Sequence, residues 1–394
     1  MTAQAEYLDT DDAIASFFRR IGTTPRLAID TEGASFHKFV DRIYLIQLST
    51  ADNQHAIIDP LPVKTLPALG KLLESSAVEV VFHDADYDLR LLHQDYGWQV
   101  RNIFDTRVAA QLLGVTSFGL AALLEQHFGV KLDKKHQRAD WSMRPLTQGM
   151  LDYAAQDTIH LLGLRDTLAD ELKKKKRWVW AEEEFLRLEG TRWAAEAPGT
   201  AFMRVKGARD LTRRELALLK ELVVLRDGLA LKADKAAFRV VGNDVLLDVA
   251  HLMPADKDTL GKVKGMPRGI VERYGSEVLD AIKRGQAVPE SDLPRFAKSK
   301  RWARDPDFDT KVGHLKGARD AAAKRLELDP GVLCSRDRME IVARLVPKSV
   351  DQLSEVHDMR RWQIAELGQA FVDALKGFKP VVEPAAAGDS PYTE

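Results

Sequence analysis

The sequence of 394 residues contains one cysteine, Cys334. A single thiol cannot build a disulfide framework, and it makes a zinc site formed by cysteines improbable. Scarcity of cysteine is typical of proteins in a reducing compartment. The chain also lacks any run approaching about eighteen consecutive apolar residues, so no segment is expected to span a membrane.

The sequence has no excess of charge of either sign, with 58 basic and 59 acidic residues. No global basic field therefore indicates a polyanionic partner, and any such partner must be recognised by local patches. The first residues are acidic and contain no long apolar core, unlike a signal peptide. We expect a soluble, cytoplasmic protein with no membrane partner.

The chain is long enough for two or three domains, and 45% of its residues are hydrophobic. Its first part alternates short apolar runs with helical patterns. Strands are predicted at residues 26–30, 42–49, 55–60, 78–83 and 100–106, and helices at 61–75 and 89–96. This order predicts an α/β domain with a mixed sheet flanked by helices.

After residue 106 the pattern is helical to the end, apart from loops. One helix is predicted to begin at Thr147, a suitable N-cap just after Pro145, and to continue to about residue 177. The basic loop before it, residues 131–146, contains a tryptophan.

The second half of the chain contains an internal repeat with an offset of 93 residues. The offset matches several residues without gaps, namely Arg226 with Arg319, Asp227 with Asp320, Asp244 with Asp337, Pro254 with Pro347, Leu260 with Leu353, Met266 with Met359, Gly275 with Gly368 and Lys283 with Lys376. Such a repeat predicts two copies of one all-helical module. The polar, proline-containing segment 289–307 is predicted to link them.

Two carboxylates, Asp30 and Glu32, follow the apolar run that begins at Leu27. Strand side chains alternate between faces, so both carboxylates are expected on one face of the sheet. Neighbouring carboxylates repel each other unless a cation joins them, and a hard divalent ion with oxygen ligands does so. By itself, an Asp-x-Glu pair is most often ordinary surface charge.

Further acidic residues lie in recognisable surroundings. Asp88 follows the strand at 78–83 on the first turns of a helix, where Asp84 and Asp86 are rival candidates. All three also suit the positive end of a helix dipole without any catalytic role. Asp157 lies four residues after Tyr153, a spacing that places both on one helix face. In isolation, that pair is better explained as a helix-surface hydrogen bond.

The order of these residues resembles the three motifs of the DEDD exonucleases. A tyrosine, Tyr153, lies four residues before the last aspartate, and this resembles the tyrosine subgroup of that family. The surrounding fragments "LAIDTE", "FHDADYDLRLL", "IFDTRVAAQLLG" and "LDYAAQD" are similar to the ribonuclease D family. The repeated module, with "LMPADKDTLGKVKGM" and "RYGSEVLDAIKRG", resembles the HRDC domain, a small helical bundle.

The resemblance implies a ribonuclease H-like exonuclease domain followed by two HRDC-like helical bundles. The expected limits are 1–200 for the exonuclease domain, 206–288 and 308–380 for the bundles, 289–307 for the linker and 381–394 for a disordered tail. The implied activity is hydrolysis of RNA in the 3′→5′ direction, with release of 5′-mononucleotides.

The resemblance also implies two divalent ions, Mg²⁺ or Mn²⁺, and a set of residues that act with them. Asp30, Glu32, Asp88 and Asp157 are the expected ligands, and Tyr153 is expected to orient the attacking water. The implied substrates are single-stranded RNA 3′ ends and transfer RNA precursors, and no obligate protein partner is inferred.

Nucleic-acid contacts are expected from the basic loop before the Tyr153 helix. The candidates there are Lys134, Arg138, Trp141 and Arg144, although Trp141 suits the core equally well. The family commonly has an aromatic residue directly after the glutamate, where this chain has Gly33. Phe36 is the candidate to replace that aromatic ring.

Two alternatives remain open at this stage. One is a DNA-directed 3′→5′ exonuclease of the same family, since the sequence reveals no contact to a 2′-hydroxyl. The other is a catalytically silent nucleic-acid-binding protein that uses the helical modules as clamps.

Overall fold

The computed structural model describes residues 5–133, 135–195, 197, 199–297 and 304–380. The predicted tail at 381–394 and the middle of the predicted linker lie outside these residues. Lys134, one of the nucleic-acid candidates, also lies outside them. None of the described helices is both long and apolar enough to cross a bilayer.

The amino-terminal part forms the predicted mixed sheet, which has six strands where the sequence predicted five. Its strands are β1 (Glu6–Leu8), β2 (Arg26–Glu32), β3 (Leu45–Thr50), β4 (His55–Ile58), β5 (Glu79–Phe82) and β6 (Ile103–Asp105). Their order across the sheet is β1-β4-β3-β2-β5-β6, in which β3 runs antiparallel to both of its neighbours. The short strand β1 was not predicted, because three residues leave no periodic pattern to detect.

Eight helices flank this sheet or follow it. They are α1 (Asp11–Ile21), α2 (Pro67–Leu73), α3 (Asp86–Tyr96), α4 (Thr106–Leu113), α5 (Leu120–Phe128), α6 (Gln148–Ile159), α7 (Leu161–Lys174) and α8 (Trp178–Leu188). Alternate residues of β2 divide between two cores: Leu27 and Ile29 pack with α1, α2 and α3, and Ala28 packs with α4 and α7. The sheet is thus covered on both faces, and Asp30 and Glu32 share the parity of Ala28.

The helix predicted from Thr147 begins where expected, since the Thr147 side chain accepts a hydrogen bond from the N–H of Met150. The expectation of one continuous helix to residue 177 was wrong. The helix is interrupted at His160. As a result, α6 lies over β3 and β4, while α7 lies over β2 and β5. A single straight helix could not cover both parts of the twisted sheet.

The carboxy-terminal half consists of two helical modules. The first contains α9 (Arg213–Ala233), α10 (Ala237–Val240), α11 (Asn243–Leu252), α12 (Lys257–Gly261) and α13 (Arg268–Ala287), and the second contains α14 (Phe308–Leu326), α15 (Pro330–Leu333), α16 (Arg336–Leu345) and α17 (Arg361–Ala374). The offset of 93 superposes the limits of α10 on α15 and of α11 on α16. It also pairs the left-handed residues Asp234 with Glu327 and Met253 with Val346.

The two modules attach to the sheet domain differently. The second shares one apolar core with α4, α7 and α8, and Trp362 stacks on Trp180 with 4.9 Å between ring centroids. The Trp362 indole N–H donates to Glu184 at 2.9 Å, and Arg360 forms an ion pair with the same carboxylate at 3.2 Å. The first module keeps a separate apolar core of its own.

The described ends of the predicted linker pack on the flanking helices. Arg213 donates to the carbonyl of Leu293 at 2.7 Å, and the buried side chains of Lys311 and Asp305 pair at 3.0 Å. The first end of the linker therefore packs as part of the first module, and the second end as part of the second module.

Gly114, the cap of α4, provides a test of the contact between the second module and the sheet domain. Its φ is 85°, and a Cβ there would clash with the carbonyl oxygen of Glu327. Gly129, the cap of α5, has φ 67° and open space around it. We expect Gly129→Ala to cost about 1–2 kcal/mol of unfolding free energy, and Gly114→Ala about 3 kcal/mol or more, because strain and overlap add. Urea unfolding measures both, and equal losses would contradict the contact.

Candidate active site

Strand β2 brings two of the predicted carboxylates to the same place. Asp30 and Glu32 lie two residues apart at the carboxy-terminal end of this strand, on the face that α6 crosses. Asp157 of α6 meets them there, and one carboxylate oxygen from each of the three lies within 4.8 Å of the others. All three side chains are partly exposed, so the group lines a cleft that solvent can reach.

Asp88 reaches the same strand end from α3. Its Oδ1 accepts a hydrogen bond from the backbone N–H of Thr31 at 3.1 Å and another from the Thr31 hydroxyl at 2.5 Å. Because Thr31 lies between Asp30 and Glu32, these bonds fix Asp88 beside the other carboxylates. The structure therefore brings together all four acidic residues that the sequence singled out.

The four carboxyl groups are crowded together, and their negative charges repel one another when they are ionised. Loss of solvent raises the pKa of Asp30 well above its ordinary value, with repulsion from Asp157 as the next cause. The same loss, followed by repulsion from Asp30, raises the pKa of Glu32. The pKa of Asp157 rises to about 7 through loss of solvent and then the charge of Asp88. Removal from water, followed by the charge of Asp30, also raises the pKa of Asp88.

These surroundings fit a hard divalent cation. Within the described residues, no lysine or arginine forms an ion pair with any of the four carboxylates. The ligand atoms are carboxylate oxygens, which magnesium and manganese prefer. Gln47 lies directly opposite Asp30 on β3, fully buried, and its amide nitrogen and oxygen have no hydrogen-bond partner. Its amide is thus free to bind a carboxylate or a ligand of this group.

Tyr153 lies one helical turn before Asp157 on α6. Its ring contacts those of Trp141 and His136, with centroid distances of 6.1 and 6.0 Å. Loss of solvent, and then the charge of Asp157, raises the pKa of Tyr153 above its ordinary value of 10.0. The phenol therefore stays protonated at neutral pH, and it can orient a neighbouring molecule by hydrogen bonding without acting as a free base.

The rival acidic residues pair with arginine side chains. Asp84 pairs with Arg107, and Asp86 pairs with Arg90 at 2.8 Å on the exposed side of α3. His83 binds the Thr106 hydroxyl at 2.9 Å, and loss of solvent lowers the pKa of its imidazole to about 4. These residues have structural partners and do not join the carboxylates.

Two of the predicted nucleic-acid contacts were wrong. Trp141 is only 2% exposed and packs in the core with Met150 and Ala154, so its ring offers no stacking surface. The Arg144 guanidinium binds the carboxylate of Asp59 and donates to the carbonyl of Tyr44 at 2.8 Å. These contacts fasten the loop to the sheet, and they leave Arg144 no donor group aimed at a substrate.

The other two candidates, Phe36 and Arg138, are exposed and contact each other. The Arg138 guanidinium lies 5.9 Å from the centroid of the Phe36 ring, and Phe36 is 53% exposed. Both lie at the surface near the cleft, and their role stays a prediction.

The glycine at position 33 leaves room for the side chain of Tyr87, a residue that the sequence motifs did not single out. A Cβ at residue 33 would clash with the Tyr87 hydroxyl, which donates to Asp41 at 2.7 Å. A partly exposed tyrosine ring therefore fills the space beside Glu32. The position of Tyr87 directly before Asp88 was the available signal, whereas the place of Gln47 depended on a strand register that the sequence does not display.

Comparison with known families agrees with this architecture. Residues 5–173 match the family model described as 3′-5′ exonuclease. Residues 215–282 and 312–375 each match the HRDC domain. The two helical modules of the repeat are thus two copies of one known domain.

Whole proteins of similar sequence are ribonucleases D. The chain is 31% identical over 344 residues to the ribonuclease D of Granulibacter bethesdensis, which covers 86% of each chain. It is 30% identical over 292 residues to that of Escherichia coli, covering 74% of this chain and 77% of the relative. The crystal structure of Escherichia coli RNase D, described as an exoribonuclease involved in structured RNA processing, matches 96% of this chain and 100% of its own, with a TM-score of 0.74 and 25% identity.

The crowding of negative charge makes a prediction about stability. Asp30→Asn replaces one of the mutually repelling carboxylates by a neutral amide of similar size. In the presence of a chelator at pH 7.5, we expect this variant to be more stable than the wild type by about 1 kcal/mol or more. Manganese should raise the melting temperature of the wild type and have little effect on the variant.

The matched control is Asp86→Asn on the exposed side of α3, which should respond to chelator and manganese as the wild type does. A chelated Asp30→Asn protein no more stable than the wild type would contradict the repulsion inferred for this group.

Proposed function

Because the chain belongs to the ribonuclease D family and is a 3′→5′ exoribonuclease, we propose that the carboxylates at the end of β2 hydrolyse the last phosphodiester bond of single-stranded RNA. The observation that supports this site is the approach of Asp30, Glu32 and Asp157 to within 4.8 Å of one another beside Asp88. The expected products are 5′-mononucleotides.

We propose that the four carboxylates hold two divalent ions, Mg²⁺ or Mn²⁺. Asp30 interacts with both Asp157 and Asp88, so it is the residue suited to bridge the pair. Glu32 and Asp157 would help to hold one ion, and Asp88 would help to hold the other. Bound divalent ions stabilise the attacking and leaving oxygens of such a displacement.

Tyr153 is assigned to the attacking water. Its hydroxyl is protonated and lies on the same helix face as Asp157, so it can hold the water by a hydrogen bond in line with the phosphodiester. The contacts of its ring with Trp141 and His136 fix the direction of the hydroxyl. In this view the buried Trp141 supports the site without touching RNA.

The natural substrates are proposed to be structured RNAs with single-stranded 3′ ends, transfer RNA precursors among them. The Escherichia coli relative is an exoribonuclease involved in structured RNA processing. We place the protein in the cytoplasm, with no obligate protein partner. Within the chain we assign the chemistry to 1–200 and accessory roles to the modules at 206–288 and 308–380.

Replacement of a central carboxylate tests the assignment. Asp30→Asn should reduce metal-dependent cleavage of a labelled single-stranded RNA by roughly a hundredfold or more, because charge stabilisation worth several kcal/mol is lost. Asp86→Asn is the control, and a chelator should abolish cleavage by both the wild type and the control. Turnover by Asp30→Asn near that of the wild type would refute the site. A matched DNA oligonucleotide in the same assay tests preference for ribose.

Tyr153→Phe separates orientation from metal binding. Without the hydroxyl, we expect single-turnover cleavage to slow by roughly tenfold to a hundredfold, while manganese still raises the melting temperature as in the wild type. An unchanged single-turnover rate would contradict the role of Tyr153, and loss of the manganese response would indicate damage to the carboxylate group.

A further inference from the structure

The two helical modules present equivalent segments to the sheet domain. In the second module, the segment 327–333 packs closely: the Glu327 carbonyl lies against Gly114, and Leu328 is buried in the shared core. The first module uses the segment 234–240, which corresponds to it at the offset of 93 residues. One copy of this segment is thus part of a continuous core.

The first module makes a polar contact through its copy of the segment. The Ala236 N–H donates to the carbonyl of His37 at 3.1 Å, and Asp234 pairs with Lys38 at 2.6 Å. These bonds join the module to the loop that follows Glu32. They leave most of the neighbouring side chains of the segment in solvent.

The side chains of this segment differ in polarity between the two copies. The first module has Lys235, Phe238 and Arg239, and the second has Leu328, Gly331 and Val332 at the matching positions. Phe238 is 52% exposed, and Lys235 and Arg239 are exposed too. In the described part of the chain, no carboxylate forms an ion pair with either cation. Exposed cations beside an exposed ring suit a strand of nucleic acid.

Ring and cation contacts lead from Phe238 towards the active site. Phe238 meets the exposed ring of Phe36 edge-on at 6.3 Å, and Arg138 lies over the same Phe36 ring. Two residues before Arg138, His136 contacts the ring of Tyr153. We call the three exposed residues Phe36, Arg138 and Phe238 the aromatic path.

A groove of about 620 Å³ runs beside this path, between the sheet domain and the first module. Its lining includes His37, the cations Lys38, Lys235 and Arg239, and the carboxylates Asp140 and Asp234, of which Asp234 is paired with Lys38. A nucleic-acid backbone in this groove would meet Lys235 and Arg239, with the rings of the path nearby.

We propose that the aromatic path and this groove bind the RNA nucleotides upstream of the one being removed. Phe36 and Phe238 stack on bases, while Arg138, Lys235 and Arg239 face phosphates. The first module is then a substrate-binding element, and the second is a structural part of the catalytic unit. This proposal rests on the exoribonuclease function and adds the direction in which the strand leaves the cleft.

Phe238→Ala tests the proposal with RNA of two lengths. For an oligonucleotide of about twelve residues, we expect KM to rise about tenfold, as for the loss of one stacked base, with kcat nearly unchanged. For a dinucleotide, which is too short to reach the first module, the loss in kcat/KM should be much smaller. Leu252→Ala is the control, since Leu252 is another exposed apolar residue of the same module.

A further variant distinguishes stacking from the general loss of a side chain. Phe238→Trp keeps an aromatic face and should restore the KM for the long RNA. An unchanged KM in Phe238→Ala, equal losses for both lengths, or failure of tryptophan to rescue would each overturn the path. Dinucleotide cleavage by the wild type separates these results from failure of the exonuclease function itself, which would abolish both activities.

Discussion

Four acidic side chains must be held close together without a basic residue to neutralise them, and the catalytic domain is arranged around this requirement. Asp30 and Glu32 come from β2, Asp88 from α3 and Asp157 from α6. None of these elements could hold its carboxylate there alone, because mutual repulsion would move the side chains apart. The sheet, packed on both faces, resists that movement. Thr31 contributes directly, since two hydrogen bonds hold Asp88 at the strand between the other two acids.

Much of this arrangement could be predicted from the sequence, and the reasons are local. The alternation of a strand places Asp30 and Glu32 on one face, and the N-cap Thr147 sets the start of the helix that carries Tyr153 and Asp157. What could not be predicted depends on contacts between distant segments. Burial of Trp141 and pairing of Arg144 with Asp59 follow from the docking of a loop on the sheet, and a basic loop with an aromatic residue has the same composition whether it binds RNA or packs inward.

The duplicated modules show how one backbone serves two purposes. Their helices and left-handed turns match at a constant offset, yet the residues on the equivalent segment differ in polarity. In the second copy, apolar residues and the Trp180–Trp362 stack make the module continuous with the catalytic core. The first copy is held by the ion pair of Lys38 with Asp234, by one backbone hydrogen bond and by the edge contact between Phe36 and Phe238. Opening between the first module and the sheet domain therefore requires loss of far less apolar contact.

Tyr87 fills the space beside Gly33, and this links two positions that are distant in sequence. The phenol hydroxyl already occupies the volume of any side chain at residue 33 and is held there by Asp41. A larger residue at 33 requires a smaller or redirected one at 87, so the two positions are expected to vary together among related proteins. The rim of the cleft can thus receive its aromatic ring from either the strand or the helix, but not from both at once.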